Sequence, residues 1–153
     1  MKIKFFMMIC SVLLFSSCNK WLDVDLADKV TEEKLFSTPQ GYQEALAGVY
    51  STMASPALYG QKLTMEDIDV LAQYYSYDGI AATYEKLKKY DYEDAGSQGR
   101  ILAIWKGMYS AISGANNIIK WAGNDNKVLD AQTKNQVLGE AYALRAYLHF
   151  DLI

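Results

Sequence analysis

Hydrophobic residues recur at helical spacing along most of the chain, and the pattern is strongest in residues 138–153, LGEAYALRAYLHFDLI. Ala141, Leu144, Leu148 and Leu152 fall on one stripe, with Val137 just before it. Four more apolar side chains widen this surface, namely Tyr142, Tyr147, Phe150 and Ile153. A helix that is apolar over most of its girth is normally covered on several sides, and no Gly, Asn or Pro ends this one. We therefore expect the protein to continue beyond these residues.

Two further long helices are predicted upstream of this last helix, which begins near Ala131. The first starts with Thr38 as N-cap and Pro39 at its first position, and it ends before Pro56. Its predicted apolar face comprises Tyr42, Ala45, Leu46, Val49, Tyr50 and Met53. The second carries an apolar stripe made of Ile101, Ile104, Trp105, Met108, Ile112, Ala115 and Ile119.

Small residues line the face beside that second stripe, and two of them are the interior glycines Gly107 and Gly114. Each glycine inside a helix costs about 1 kcal/mol relative to alanine. Two glycines on one face therefore predict the close approach of another helix. A turn at residues 123–126 separates this helix from the last one.

The rest of the chain predicts short helices and loops. Residues 31–36 predict one helical turn, and Thr64 is the expected cap of a short helix that buries Ile68, Leu71, Ala72 and Tyr75. Residues 74–99 break the helical rhythm and predict a loop with one helical piece around 81–89. The chain is thus predicted to be all-α, with TPR-like helical pairs joined by long loops.

The N-terminus has the features of a bacterial lipoprotein. Lys2 and Lys4 precede an apolar run at 5–15, which is shorter than the ~20 residues of a membrane-spanning helix. Small residues then precede Cys18, which resembles a lipobox, although Phe15 stands where leucine is preferred. The resemblance implies cleavage before Cys18 and its lipidation. The alternative is an ordinary secretory signal. The predicted regions are a signal peptide at 1–17, a lipidated cysteine and tether at 18–36, and a helical region at 37–153.

The amino-acid composition limits the kinds of functional site and partner that the chain can have. Cys10 leaves with the signal peptide and lipid modifies Cys18, so no thiol remains for a disulfide, a metal or catalysis. The 15 Lys and Arg include two in the signal peptide, which leaves 13 against 18 Asp and Glu. This balance disfavours nucleic acid as a partner, and the membrane is reached through acyl chains. No zinc-spaced set, phosphate loop or nucleophile elbow is present, so we predict no metal and no cofactor.

Tyrosines concentrate in residues 74–92, where acidic and basic residues alternate with them. Sugar rings present apolar C–H faces edged with hydroxyls, and tyrosine offers a flat ring with a polar tip. The candidate ligand residues are Tyr74, Tyr75, Tyr77, Asp78 and Tyr92. The alternative is that half of these tyrosines cover the helix pair.

Four other polar residues are predicted to be structural. Arg145 has no carboxylate among its helical neighbours, so we expect an ion pair with a residue of another element. His149 is expected to pack or to lie at the surface, because no Cys or acidic cluster surrounds it in sequence. Asn116 and Asn117 are expected to brace neighbouring turns.

Four blocks of sequence resemble the SusD/RagB family of Bacteroidota surface lipoproteins. They are CNKWLDVD from Cys18, TEEKLFSTPQGYQEALAGVY from Thr31, WKGMYSAISGANNII from Trp105 and GEAYALRAYLHFDLI from Gly139. Each block is degenerate alone, but their order and spacing along the chain are specific. The resemblance covers the N-terminal portion of such proteins.

The resemblance implies a protein that is not an enzyme. It implies a lipid-anchored protein on the exterior of the outer membrane, which binds polysaccharides or oligosaccharides and passes them to a SusC-like TonB-dependent transporter. A relative that binds peptides, or a tethered adaptor that binds only proteins, is the alternative. A surface hydrolase would need a carboxylate pair such as Asp67 with Asp69, but acids in a first helical turn are explained by the helix dipole.

Overall fold

A computed structural model describes residues 31–74, 82–124 and 127–153. Its helices are α1 (Glu32–Leu35), α2 (Pro39–Met53), α3 (Asp67–Leu71), α4 (Ala82–Lys88), α5 (Ala95–Gly123) and α6 (Ala131–Asp151). These described ranges contain helices and turns but no strand, which confirms the predicted all-α class. The TPR-like pairing stays a prediction. The proposed signal peptide and Cys18 lie outside the described residues.

Helix α2 follows the sequence prediction closely. The Thr38 hydroxyl accepts a hydrogen bond from the Gly41 backbone N–H at 3.2 Å, and Pro39 is the first helical residue. Three residues of the predicted face are fully buried, namely Tyr42, Leu46 and Val49. Tyr50, which we expected on that face, is exposed instead. It lies at the edge of the face, where its hydroxyl donates a hydrogen bond to Glu140 of α6.

Helix α1 is the predicted single turn, and it packs against the start of α2. A Cβ on Gly41 would lie 1.6 Å from the Leu35 carbonyl oxygen, so only glycine allows this approach. The Phe36 ring then stacks on Trp121 of α5, with centroids 5.5 Å apart. Residues 31–36 are thereby held against the longer helices.

Helix α5 is longer than the sequence predicted. Asp94 caps it by accepting hydrogen bonds from the backbone N–H groups of Gly96 and Ser97, at 2.9 and 3.2 Å. The predicted loop up to residue 99 is therefore wrong over its last five residues, because an aspartate cap outweighs two glycines in the first turns. The buried stripe of α5 consists of Met108, Ala111, Ile112, Ala115, Ile118 and Ala122. Ile101 and Trp105, expected on it, are exposed.

The two glycines of α5 do mark close approaches. A Cβ on Gly114 would lie 2.9 Å from Val49 Cγ2 of α2, which confirms the predicted helix–helix approach there. A Cβ on Gly107 would lie 3.0 Å from Leu58 Cδ2. Leu58 belongs to the turns after α2, so the element that approaches Gly107 is not a helix.

Helix α6 packs antiparallel to α5 through the predicted stripe. Asp130 caps it by accepting the Thr133 backbone N–H at 2.8 Å. Val137, Ala141, Leu144 and Leu148 are buried. Tyr142, Tyr147, Phe150 and Ile153 are exposed, so the described residues do not supply the cover that we expected for them.

The short helix α3 differs from its prediction in start and in face. It begins at Asp67, while the Thr64 hydroxyl donates to the Tyr59 carbonyl at 3.0 Å instead of capping the helix. Val70 and Asp67 are its buried residues, whereas Ile68 and Ala72 are exposed. The ion pair that Asp67 forms with α5 turns this face inward, and hydrophobic periodicity carries no sign of such a pair.

No helix within the described ranges is both long enough and apolar enough to cross a membrane.

Candidate functional site

The predicted sugar-binding loop is described at its two ends. Tyr74 is 75% exposed, and Tyr92 is exposed with its ring 6.4 Å from that of Tyr90. Tyr75, Tyr77 and Asp78 lie outside the described residues. The predicted site as a whole therefore stays a prediction.

A hydrogen-bonded clasp joins the two described ends of this loop. The Tyr90 hydroxyl donates to the Leu71 carbonyl at 2.8 Å and accepts from Gln73 Nε2 at 3.4 Å. Gln73 and Tyr90 both have left-handed backbones, with φ of 53° and 57°. Such a backbone costs about 1–2 kcal/mol for a residue with a Cβ, so these contacts must outweigh it.

An ionic cluster fixes α3 and α4 against α5. Arg100 Nη1 donates to Glu66 Oε1 at 2.6 Å and to Asp67 Oδ1 at 2.5 Å. The Tyr84 ring lies 4.2 Å from Arg100 Cζ, and its hydroxyl donates to the same Glu66 oxygen. One arginine therefore holds three side chains from two other segments.

The pKa values of the two acidic residues in this cluster are shifted in opposite directions. The hydrogen bond from Tyr84, followed by that from Arg100, lowers the pKa of Glu66. Burial raises the pKa of Asp67, although Arg100 opposes that shift. Asp67 Oδ2 is buried, and no group in the described part of the chain donates a hydrogen bond to it. Asp67 is paired with Arg100 and is only 3% exposed, so its carboxyl is not accessible to a glycan in this arrangement.

Arg145 differs from its predicted ion pair. Its partner does lie on another helix, but that partner is the Asn116 side-chain oxygen at 3.1 Å rather than a carboxylate. The guanidinium also lies 5.1 Å from the Tyr142 ring centre. Asn117 Nδ2 donates to Glu32 Oε1 at 3.3 Å, so the two asparagines contact other helices rather than the neighbouring turns that we expected. His149 is exposed, edge-on to Tyr109.

A second tyrosine surface, which the sequence analysis did not single out, lies where α2, the turns after it and α6 meet. We call it the tyrosine cleft. It is a shallow, open depression of about 580 Å³, lined by Tyr50, Met53, Ala54, Tyr59, Gly60, Thr64 and Tyr147. These described lining residues include no Lys and no Arg.

Two glycines position the turns that carry Tyr59 into the cleft. Leu58 is fully buried against Gly107 of α5, where any side chain on α5 would displace it. A Cβ on Gly60 would lie 2.2 Å from the Ala54 carbonyl oxygen, so the chain folds back tightly after Tyr59. The Tyr59 backbone N–H donates to the Met53 carbonyl at 3.1 Å. Tyr59 is thereby held between the end of α2 and the end of α6.

Two carboxylates of α6 fix the tyrosine hydroxyls of the cleft. The Tyr50 hydroxyl donates to Glu140 Oε1 and the Tyr59 hydroxyl to Asp151 Oδ2, both at 2.7 Å. The bond to Glu140 raises the pKa of Tyr50, and burial together with the bond to Asp151 raises that of Tyr59. The Tyr59 and Tyr147 rings are 5.5 Å apart and tilted by 42°. The phenols thus remain protonated and oriented.

One sequence signal pointed to this cleft and was missed. Glu140, Tyr147 and Asp151 recur at i, i+7 and i+11, which places them on one stripe of α6 beside the buried stripe. Tyr59 gave no periodic signal, because it lies in turns.

Comparison with known proteins identifies the family. A family profile described as "Starch-binding associating with outer membrane", of the SusD-like type, matches residues 20–153. The chain is 27% identical over 126 residues to SusD-like protein P2 of Formosa agariphila. That match covers 79% of this chain and 23% of the relative, so the chain spans about a quarter of the relative's length. No solved structure matches the chain.

The family match confirms the resemblance that the four sequence blocks indicated. Proteins of this family are binding proteins associated with the outer membrane rather than enzymes. Because the profile extends over nearly all residues after the proposed lipidation site, we conclude that the chain belongs to the SusD-like family.

Proposed function

We propose that this chain is a cell-surface lipoprotein that binds oligosaccharides and delivers them to a partner TonB-dependent transporter of the outer membrane. The observation that carries the proposal is the family match over residues 20–153, whose description names starch and the outer membrane. Exposed tyrosines at the loop ends and in the tyrosine cleft support it, because exposed flat rings suit the C–H faces of sugars. The loop residues Tyr74, Tyr75, Tyr77, Asp78 and Tyr92 remain proposed contacts.

The test uses the lipoprotein purified from its own envelope fraction. It is expected to be retarded in a gel containing a polysaccharide, to release the sugar unchanged, and to co-purify with a TonB-dependent transporter. Co-purification without retardation by any sugar would favour an adaptor that binds only proteins. Shorter sugar products that accumulate over time would contradict the assignment as a binding protein.

The anchor is proposed to be the lipid on Cys18, with the protein facing the cell exterior. Replacement of Cys18 by Ala removes the only thiol left after cleavage, so lipid labelling should be lost and the protein should leave the membrane fraction. Replacement of Cys10 by Ala, inside the proposed signal peptide, is the control and should leave both unchanged. A Cys18→Ala variant that is processed normally and stays in the membrane would contradict the lipoprotein proposal.

A further inference from the structure

Helices α3 and α4 end in the same way, although neither ends at a glycine. In each helix, two backbone N–H groups after the last turn donate back to carbonyls of that turn. The bonds are Gln73 to Val70 and Tyr74 to Asp69 in α3, both at 3.1 Å, and Tyr90 to Leu87 and Asp91 to Lys86 in α4, at 2.9 and 3.0 Å. This is the Schellman arrangement, in which the residue with the left-handed backbone is usually glycine. Here those residues are Gln73 and Tyr90.

The side chains of these two residues cap each other's helices. The Tyr90 hydroxyl donates to the carbonyl of Leu71, the last residue of α3, at 2.8 Å. Gln73 Nε2 donates to the carbonyl of Lys88, the last residue of α4, at 3.4 Å. The carbonyl of a last helical residue has no partner within its own helix. Each helix is therefore capped by the residue that ends the other one.

This exchange of caps explains why side chains stand where glycine would be favoured. Glycine adopts a left-handed backbone without steric conflict, but it has no side chain that could reach the other helix. Gln73 Nε2 also donates to the Tyr90 hydroxyl at 3.4 Å, which links the two caps directly. The left-handed backbones of both residues are thus compensated by contacts across the helix pair and not within one helix.

The opposite ends of the two helices are held to α5. Arg100 binds Glu66 and Asp67 where α3 begins, and the Tyr84 hydroxyl in the first turn of α4 donates to the same Glu66 oxygen. The starts of α3 and α4 are therefore joined through Arg100, and their ends are joined through Gln73 and Tyr90. The two short helices are fixed at both ends.

Two exposed tyrosines are attached directly to the joined ends. Tyr74 follows Gln73 in the chain and is 75% exposed. Tyr92 is 48% exposed, its backbone N–H donates to the Tyr90 carbonyl at 3.0 Å, and its ring lies 6.4 Å from that of Tyr90. The positions of both tyrosines therefore depend on the two caps.

From these contacts we propose that Gln73 and Tyr90 form a reciprocal cap and act as positioning residues for Tyr74 and Tyr92, two of the proposed sugar contacts. The proposal rests on the proposed function and adds residues that act on binding without contacting the ligand. If each residue stabilised only its own helix end, a substitution would have no effect on the other helix.

Two variants remove one cap each and keep the size of the side chain. Tyr90→Phe loses the hydroxyl that binds the Leu71 carbonyl, and Gln73→Met loses the donor to the Lys88 carbonyl. The controls make the same changes elsewhere, namely Tyr109→Phe at an exposed position of α5 and Gln132→Met at an exposed position of α6. All are made in the full-length lipoprotein, and helical circular dichroism checks that the fold is retained.

Amide hydrogen exchange, followed by mass spectrometry of peptides from each helix end, tests the reciprocal cap. Tyr90→Phe should speed exchange at the end of α3, and Gln73→Met should speed it at the end of α4, each about fivefold for the loss of one hydrogen bond. Both controls should match the wild type. Exchange that quickens only in the helix that carries the substitution, or in neither helix, overturns the reciprocal cap.

Retardation in gels that contain soluble starch tests the positioning role. Each cap variant should weaken retention about two- to fivefold, because fewer molecules hold Tyr74 and Tyr92 in place. Tyr74→Ala and Tyr92→Ala should weaken retention without changing exchange at the end of the other helix, as expected of residues that contact the sugar.

The outcomes separate this proposal from the proposed function. Faster exchange in the opposite helix together with weaker retention supports the positioning role. Faster exchange with unchanged retention overturns that role and leaves the proposed function standing. A wild type that neither starch nor any other polysaccharide retains overturns the proposed function and the positioning role with it, while the exchange rates still decide whether the caps are reciprocal.

Discussion

At the scale of single residues, one arginine organises the segment between α2 and α5. Arg100 joins Glu66, Asp67 and Tyr84, and its side chain is only 18% exposed. Asp67 is only 3% exposed. The contribution of this cluster is therefore measured best by removing one partner and leaving the other.

The Arg100→Met variant is expected to lower the free energy of unfolding by about 3 kcal/mol, because it leaves a buried carboxylate without a counter-charge. Adding Asp67→Asn should recover part of the loss, since a neutral amide costs less to bury. Urea unfolding measures both. Lys86→Met, which breaks the exposed pair between Lys86 and Asp91, is the control and should leave unfolding nearly unchanged. Equal effects of the two single variants would show that Arg100 is not a structural residue.

Because of Glu66, the contribution of this cluster to the stability of the fold depends on pH. Its folded pKa lies below the usual 4.5, so its ionisation stabilises the fold above pH 4.5 and that stabilisation is lost as the pH falls through the folded pKa. The stability difference between the wild type and Glu66→Gln should thus be largest near neutral pH and shrink in acid. The raised pKa of Asp67 acts in the opposite direction, and repulsion from Glu66 is one of its smaller causes, so Glu66→Gln also removes that part of the opposing shift.

Urea unfolding at several pH values measures this difference. Glu85→Gln, an exposed glutamate of α4, is the matched control and should differ little from the wild type at any pH. A Glu66→Gln difference that stays constant from neutral to acid pH would contradict the assignment.

At the scale of elements, glycines inside α5 play two different roles. A Cβ on Gly114 would collide with Val49 of α2, whereas a Cβ on Gly99 would meet nothing within 4 Å. Both glycines cost the helix backbone entropy, but only the first permits a close helix contact. The sequence pattern placed Gly99 at the end of a loop and Gly114 inside the helix, so it did not show that both glycines lie in one helix with different surroundings.

Alanine at these two positions should therefore have opposite effects. Gly99→Ala is expected to raise the free energy of unfolding by up to about 1 kcal/mol through helix propensity. Gly114→Ala should lower it, because overpacking costs about 1–3 kcal/mol and exceeds that gain. Adding Val49→Ala to Gly114→Ala should relieve the collision. The double variant should therefore lose less free energy of unfolding than the sum of the losses in the two single variants. Thermal and urea unfolding measure these changes in stability. An increase in stability caused by Gly114→Ala would contradict the close contact with Val49.

At the scale of the whole molecule, apolar side chains on α5 and α6 stay exposed in the described residues. Phe150 is 76% exposed, and Trp105, Tyr109 and Ile153 are also exposed. A contiguous apolar patch beyond a few hundred Å² is unusual on a soluble monomer. We therefore expect residues 19–153 expressed alone to self-associate or to bind a hydrophobic dye.

Phe150→Ser combined with Trp105→Ser should reduce both signals, which light scattering and dye fluorescence measure. Lys106→Ser, at an exposed polar position of α5, is the control and should change neither. A monodisperse wild-type segment with a cooperative melt and no dye signal would show that these side chains are tolerated in water.

Features that depend on neighbours within a few helical turns could be predicted from the sequence. Thr38 with Pro39 fixed the start of α2, and the stripe from Val137 to Leu148 fixed the buried face of α6. Capping and helical periodicity act between residues three to eight apart, so they are visible in one sequence. The family blocks are equally local, which is why their order was enough to indicate the family that the profile match confirms.

Which aromatic residues share a surface could not be predicted from the sequence and became visible in the folded chain. Tyr50 and Tyr147 were expected among apolar residues, yet both turn their rings to the tyrosine cleft, and Tyr59 joins them from a turn. Asp67 was expected to support a helix start, but its pairing with Arg100 rotates α3 inward. A tyrosine ring can be either buried or exposed to water, so its place cannot be inferred from the residue type. An ion pair with an arginine far away in the chain does not alter the local hydrophobic pattern. These placements therefore depend on contacts between residues far apart in the chain, which periodicity cannot encode.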